Sequence, residues 1–414
     1  MIEGVPISSS VIYCAAHGGF KSERVPLGGG GAVFEMLTAA WRESGAVEVE
    51  PITPSVLGRN APRGKDLIQY DEREYASFCR AFDRAATTEI LKYDAARTAV
   101  LINDISEAPD FRALRLRGFR IFTIYHVDVV AYIAAIYCRG WIQPATLTRL
   151  WRALRPVHWL LPNILKLVFE KQADSVACSN GLIVPSPGMK ETLLACYPKT
   201  EPAKIHVVPW GTPPAQEIGD ASALRREFEI PENAFVLLTL SRISPEKGQD
   251  LLLEALIEWE SHESFPERPL WLFICGGAAY MHGQRHLTKL QRFASRLKRT
   301  RVLFPGHVTG PRKQSFFDLA DLYVFPSRHE SYGLTLLEAM QAGLPVVCLD
   351  HAGARGIMHP EFGEMTTPDG LRSALRRMVN DAPRRQACAA AARAYASAHP
   401  FAESAERIAH LIRG

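Results

Sequence analysis

The chain has 414 residues, 47% of them hydrophobic and 22% charged, and a formal net charge of +4. That balance excludes a disordered, collagen-like or coiled-coil chain, and the length predicts two or three domains, each with a core of its own. The charge is unevenly spread: residues 1–110 carry 11 Lys and Arg against 16 Asp and Glu, residues 111–205 carry 13 against 5, and residues 206–414 carry 24 against 23, which points to a local anionic partner and not to a general nucleic-acid binder.

The opening MIEGVPISSS lacks the basic-then-apolar order of a signal peptide. No apolar run approaches the roughly 18–20 residues that cross a bilayer. Eight cysteines without a C-x-x-C pair read as buried thiols of a cytoplasmic chain. Residues 6–16 read as a first strand, followed by the glycines Gly28 to Gly31 and a helix with Val33, Met36, Leu37, Ala40 and Trp41 on one face, ended by Gly45. Further strands are expected at 47–53, 98–105, 120–126, 175–178, 182–185 and 204–210, with a helix over 186–196. The polar stretch GTPPAQEIGDAS, 211–222, reads as the hinge between domains. Beyond it, FVLLTLS (235–241), LWLFIC (270–275), RVLF (301–304), LYVFP (322–326) and PVVCL (345–349) are apolar runs of strand length, with helical patterns between them, as at 250–259 and 333–341. Apolar strands alternating with helices predict parallel sheets covered on both faces, and open sheets of this kind bind ligands at the carboxyl ends of their strands.

The richest chemistry lies in PSRHESYGLTLLEAMQAG, 326–343. Glu330 ends a loop after a strand, Gly333 opens the next helix, and Glu338 lies just inside it. The free amides of Gly333, Leu334 and Thr335 would form an anion site. Two carboxylates beside an anion site make sense when each holds a hydroxyl, and a nucleotide sugar offers sugar and ribose hydroxyls on either side of a diphosphate. A helix-start charge and a solvated helix residue would be the plainer reading. A second constellation, SRISPEKG at 241–248, puts Arg242 and Lys247 at another strand's carboxyl end. There they could neutralise a diphosphate and the charge of a departing nucleoside diphosphate, although alone the string reads as an ordinary turn.

Together these segments resemble the donor-binding half of the retaining GT-B-fold glycosyltransferases, family four (glycosyltransferases group 1). The resemblance rests on the Arg242–Lys247 turn, Gly276-Gly277, P-G-H-V at 305–308, and two glutamates separated by seven residues, Glu330 and Glu338. It implies an α/β chain of two Rossmann-like, doubly wound domains facing across a cleft. Residues 1–210 would bind the acceptor and 211–395 the donor, with the last helix, about 400–414, packing back on the first domain. It also implies that Arg242 and Lys247 bind the donor diphosphate, that Glu338 holds the ribose and Glu330 the donor sugar, and that the Gly333–Thr335 backbone meets phosphate and sugar. His307 and Val308 would lie near the base. No cofactor or metal is expected, and no D-x-D is present to hold one. Transfer would retain anomeric configuration and pass to a glycan or lipid-linked acceptor in polysaccharide or cell-envelope synthesis. The sequence departs from the family after 345–349: in DHAGARGIM, Gly356 stands at the usual acidic position, preceded by Arg355.

In the N-terminal half, Gly29 and Gly30 correspond to a family loop that approaches donor phosphate. Their run fails the dinucleotide fingerprint, since Val33 and Phe34 stand where its last glycine would fall. His126 closes the strand RIFTIYH, where the family places a histidine near the reaction centre. Asp128 and the pair Asn103-Asp104, at similar strand ends, are read as structural. Segment 139–171 interleaves Arg139, Arg149, Arg152, Arg155, Lys166 and Lys171 with Trp141, Trp151, Trp159, Leu160, Leu161 and Phe169, a pattern suited to the surface of an anionic membrane. Packing of those apolar residues inside the domain would be the alternative. A sugar-phosphate synthase or phosphorylase of the same fold, and a non-catalytic nucleotide-sugar-binding protein, remain the other readings.

Overall fold

The computed structural model describes residues 10–20, 28–67, 69–136, 141–214, 218–262, 265–278 and 280–414. The expected strand residues 6–9, Arg139 and hinge residues 215–217 lie outside them. The chain divides into two units, residues 1–210 with 402–414, and residues 211–401.

In unit 1, β1 (Ser10–Cys14), β2 (Glu48–Ile52), β3 (Thr98–Ile102), β4 (Arg120–Ile124), β5 (Gly181–Val184) and β6 (Ile205–Val207) form one sheet in the order β2-β1-β3-β4-β5-β6. Every pair in it is parallel. β3, TAVLI, is buried at all five positions, as a strand covered on both faces must be. The helix Gly29–Ser44 buries Val33, Phe34, Leu37, Thr38 and Trp41, and Gly45 ends it in the left-handed region, its N–H donating to the Trp41 carbonyl. The Trp41 indole N–H donates to the Ala405 carbonyl at 2.8 Å, tying in the closing helix Phe401–Arg413. The helix Glu72–Ile90, in a region where the sequence reading named no element, starts from a reciprocal cap. Asp71 accepts from the Arg73 and Glu74 amides, and Glu74 accepts from the Asp71 amide.

In unit 2, β7 (Phe235–Leu240), β8 (Leu270–Cys275), β9 (Thr300–Gly306), β10 (Leu322–Phe325), β11 (Val346–Leu349) and β12 (Gly363–Thr366) form a second parallel sheet, ordered β12-β11-β10-β7-β8-β9. This is the Rossmann strand order, read from the far edge. Its core gathers Leu237, Leu252, Leu256, Trp259, Leu272, Ile274, Val324, Val347 and Met378.

One strand expectation is corrected, and one strand was not expected. Residues 175–178 are the last turn of the helix Asn163–Cys178; a four-residue apolar patch has too few positions to reveal its period. β12, GEMT, lies at a sheet edge with Met365 exposed, so it lacks the apolar run that marks the inner strands.

Strand order sets where ligands can enter. In unit 1 the direction of winding reverses between β1 and β3, and in unit 2 between β7 and β10. At such a switch point the loops diverge and leave a crevice at the strands' carboxyl ends.

Candidate active site

At the unit 2 switch point the loop after β7 carries Arg242 and Lys247, and the loop after β10 carries Glu330. Lys247 donates to Glu330 Oε1, with their side chains only 10% and 21% exposed. Burial pushes the Glu330 carboxyl up. The charges of Lys247, His351 and Arg242 outweigh that and hold it below the usual carboxylate range. Glu330 is therefore an anion with one oxygen committed to Lys247.

The turn itself is rigid. Gly248 closes it with φ +63°, and a Cβ there would stand 1.9 Å from the Pro326 carbonyl oxygen, so only glycine lets the two loops approach so closely. Gln249 donates to Ser241 Oγ and to the Arg242 carbonyl, and the Ser244 hydroxyl donates to Glu246. Arg328 binds the Pro245 carbonyl and Asp250 through its guanidinium and the Glu246 carbonyl through its amide, so β10's loop holds β7's turn in place. Burial raises the Asp250 carboxyl, but Arg328 and Lys289 overcome this and bring it down to about 2. Arg328 was not among the residues singled out from sequence.

Between the two glutamates the helix Leu334–Gln341 begins at Gly333, whose φ of +124° and the absence of any side-chain cap leave its first amides open. Glu338, inside that helix, pairs with Lys313 at 2.8 Å, both side chains about one-seventh exposed. Lys313 rides on the helix Gly310–Leu319, which starts just after His307 and Val308 at the end of β9. Val308 is buried and His307 exposed, two strands from the switch point; the Lys313–Glu338 pair links their loop to the helix start. Glu330, Glu338, Lys247, Arg242 and the Gly333–Thr335 backbone thus share one end of one sheet.

The loop after β11, where the sequence departs from the family pattern, contributes His351. Gly353 in this loop packs so closely that a Cβ would meet the Glu330 carbonyl at 2.5 Å. His351 Nδ1 accepts from the Ala354 amide at 3.1 Å and Nε2 is buried without a partner. Burial, more than its charged neighbours, lowers this imidazole to about 4. Arg355 instead pairs with Asp350, largely in solvent, and Gly356 caps the short helix Ala352–Arg355.

At the unit 1 switch point the helix Gly29–Ser44 starts without a side-chain cap. A Cβ on Gly30 would lie 3.2 Å from the His126 ring and 3.4 Å from Asp104, so the glycine run is what admits the helix start to this cluster. His126 Nε2–H donates to Asn103 Oδ1 at 2.9 Å, the same oxygen that accepts from the Tyr13 hydroxyl at 2.7 Å. Asn103 Nδ2 donates to the Gly30 carbonyl and to Asp104. This fixes the tautomer, with the His126 proton on Nε2 and the lone pair on Nδ1. Burial, only partly offset by Asp104, lowers the His126 imidazole to about 4, and the ring stacks on Trp210.

Asp104 accepts from the His17 amide and faces His17 Nδ1, each at 3.2 Å, and Glu107 stands 3.6 Å from His17 Nε2. Burial pushes both carboxyls up. His17 and His126 overturn this at Asp104, bringing it to about 2, whereas Glu107 stays raised. Asn103 and Asp104, read as structural from sequence, therefore orient His126 and His17. A cavity of about 1090 Å³ in unit 1, lined by Trp151, Arg155, Lys166 and Lys171 among others, includes no residue of either cluster. Among the described residues no three His, Cys, Asp or Glu side chains converge as metal ligands would.

Comparison with known proteins gives three findings. Residues 220–395 match the family model "Glycosyl transferases group 1". Among curated proteins, a D-inositol 3-phosphate glycosyltransferase of Salinispora tropica is 29% identical over 209 residues, 47% of this chain and 43% of that protein. One from Catenulispora acidiphila is 37% identical over 130 residues, 31% of this chain and 30% of its own. The chain spans about half the length of the curated relatives it matches. Among solved structures it is similar to WaaG, a glycosyltransferase involved in lipopolysaccharide biosynthesis, with 18% identity, TM-score 0.69, and 98% of this chain against 100% of that one covered. It also resembles Anabaena Alr3699/HepE in complex with UDP and glucose, with 18% identity, TM-score 0.64, and 98% and 99% covered. At such identities the likeness shows the fold, which is GT-B, two Rossmann-like α/β units.

Proposed function

We propose, from the match of residues 220–395 to the glycosyl transferases group 1, that the protein moves a sugar from a nucleoside-diphosphate sugar to a glycan or lipid-linked acceptor, with retention of configuration. The observation that carries the reading is the unit 2 switch point, where two lysine-neutralised glutamates flank an uncapped helix start beside Arg242. A diphosphate needs cations and open amides; the hydroxyls on either side of it need acceptors. Lys247 and Arg242 supply the charge that stabilises the departing nucleoside diphosphate. Glu330 offers its second oxygen to a donor-sugar hydroxyl, and the Glu338 carboxylate accepts from ribose. The acceptor hydroxyl attacks from the face the diphosphate leaves, so configuration at the anomeric carbon is kept. Unit 1 binds the acceptor. His126, neutral and presenting Nδ1, takes a hydrogen bond from a sugar hydroxyl and orients it.

Melting the protein against a panel of nucleotide sugars tests this, because a ligand that binds only the folded state raises the midpoint by mass action. One nucleotide sugar should raise it clearly, and Arg242→Ala should remove the rise while leaving the unliganded midpoint within a few degrees. Product analysis by NMR then reads the anomeric configuration, and sugar-phosphate acceptors run against glycan and lipid-linked ones read the acceptor class. No shift with any nucleotide sugar would end the proposal.

A further inference from the structure

Ten large hydrophobic side chains are exposed among the described residues, and six of them fall within residues 141–160: Trp141, Leu150, Leu154, Val157, Trp159 and Leu160. Trp141 is 88% exposed and Trp159 74%. Local packing imposes this exposure. Trp151 takes the inward position of the helix Pro144–Ala153, stacked between the His158 ring at 3.7 Å and the Phe169 ring at 4.5 Å. His158 Nε2–H donates to the Trp151 carbonyl. With Trp151 and His158 half-buried in a stack on the buried Phe169, the turn Arg155–Leu160 leaves Trp159 and Leu160 outside. Scattered exposed apolar residues need no explanation, but a run of them containing two tryptophans marks an interaction surface.

Its charge selects the partner. Arg149 and Arg155 are exposed and Lys166 half-buried, and among the described residues none of the three side chains forms an ion pair or donates a hydrogen bond. The one acid among residues 139–171 is Glu170. Nearby acids are already committed, Asp83 to Lys171 and Asp174 to Arg112. Arg155 and Lys166 also line the 1090 Å³ cavity, where basic side chains outnumber the acids Asp83, Asp110, Asp174 and Glu170, which leaves room for a phosphate-bearing headgroup next to side chains that suit the acyl boundary.

We propose that residues 141–166 of unit 1 form an interfacial docking surface for an anionic phospholipid bilayer, in which Trp141, Trp159 and Leu160 enter the headgroup region and Arg149, Arg155 and Lys166 meet lipid phosphate. No helix among the described residues is long and apolar enough to cross a membrane, so attachment here is lateral and salt-sensitive. The inference stands apart from the glycosyl-transfer reading and is tested without it. Full-length protein is floated with vesicles of pure phosphatidylcholine and with vesicles containing phosphatidylglycerol, at low and high salt. Flotation is expected with the anionic vesicles only, with a blue shift of tryptophan fluorescence. Arg155→Glu with Lys166→Glu should weaken it by roughly tenfold or more, from the loss of two basic contacts to the charged surface. Trp159→Ala with Leu160→Ala should weaken it too, and because Arg155, Trp159 and Leu160 are exposed and the Lys166 side chain makes no ion pair, neither variant should change the melting temperature by more than a few degrees. Failure to float with anionic vesicles at low salt would overturn the proposal. So would unchanged flotation in both double variants, or a concentration-dependent dimer in the unmutated protein that both variants abolish, which would give the surface to a second copy of the chain.

Discussion

The two sheets put polar clusters at equivalent places, each at its switch point, yet build them from different interactions. Unit 2 uses ion pairs: Lys247 with Glu330, Lys313 with Glu338, Arg328 with Asp250. Unit 1 uses a hydrogen-bonded chain through neutral groups, Tyr13 and His126 to Asn103 and Asn103 to Gly30, with two carboxylates, Asp104 and Glu107, facing His17. A site that must grip a diphosphate needs fixed cations, and cations this enclosed need carboxylates as long as no ligand is bound. A site that must orient a hydroxyl needs a lone pair at a fixed place, which a locked neutral imidazole supplies without the cost of desolvating a charge.

Breaking a unit 2 pair should therefore give the largest effect. Lys247→Met leaves the Glu330 carboxylate enclosed without its partner, a change that costs about 3–5 kcal/mol for fully buried pairs and less here, where Glu330 keeps 21% exposure. Lys247→Met with Glu330→Gln removes both charges and should recover most of that stability. Transfer should fall by roughly a hundredfold or more in both variants, as when a donor that stabilises transition-state charge is lost. Denaturant unfolding beside kinetics checks the prediction. A double variant as unstable as the single would show that the pair is not the stabilising unit, and a double variant with near-normal turnover would remove these residues from the chemistry.

The ion-pair cluster was the more legible of the two, and distance along the chain explains why. Glu330, Gly333 and Glu338 sit within nine consecutive residues, and helix periodicity alone places them at one helix start. Lys247 lies 83 residues from Glu330, but its turn follows an unmistakable apolar strand, and the resemblance to a known family put both residues at one donor. Lys313 had no such marker: 25 residues from Glu338, it looks like any solvated helix lysine. In unit 1 the strand end at His126 was readable, whereas Asp104 gains its role from His17, 87 residues away, and its string LINDIS offers no local hint. His351 was hidden by attention to Gly356: the sequence departs at one residue of the loop, and the structure brings a different one to Glu330.

An effect of intermediate size should distinguish the clusters by what they do to kinetics. Asn103→Leu removes the acceptor that fixes the His126 proton on Nε2, so the imidazole loses its tautomer and its orientation while the ring stays. We expect kcat to fall by about ten- to a hundredfold, the range in which a positioned acid–base group contributes, with the nucleotide-sugar thermal shift unchanged. Asn103→Asp keeps an acceptor and should restore part of the loss. If Asn103→Leu instead abolished the thermal shift and left kcat alone, unit 1's cluster would be serving the donor.

The smallest effect is one the clusters share, and it appears in stability. Burial lowers His126 and His351 each to about 4 from an ordinary value of 6.5. A histidine kept neutral on folding takes up its proton on unfolding, so the unfolded state binds more protons and stability falls as pH drops from 6.5 towards 4. Above 6.5 both states are neutral and the contribution is flat. At pH 5 the loss from His351, only 7% exposed, is at most about 2 kcal/mol, with uptake near one proton on unfolding. Asp104, at about 2 against 3.8, adds a loss in the same direction but in a lower window, from 3.8 down to 2. Urea unfolding at steps of pH, with proton uptake measured directly, resolves the two windows. His351→Asn should roughly halve the slope between pH 6.5 and 4, where His126 still contributes, and leave the lower window untouched. A slope that stays unchanged in that variant would mean that the folded ring is already an imidazolium, protonated on Nδ1 at the expense of its contact with the Ala354 amide, and Glu330 beside it would then have to be its counter-ion.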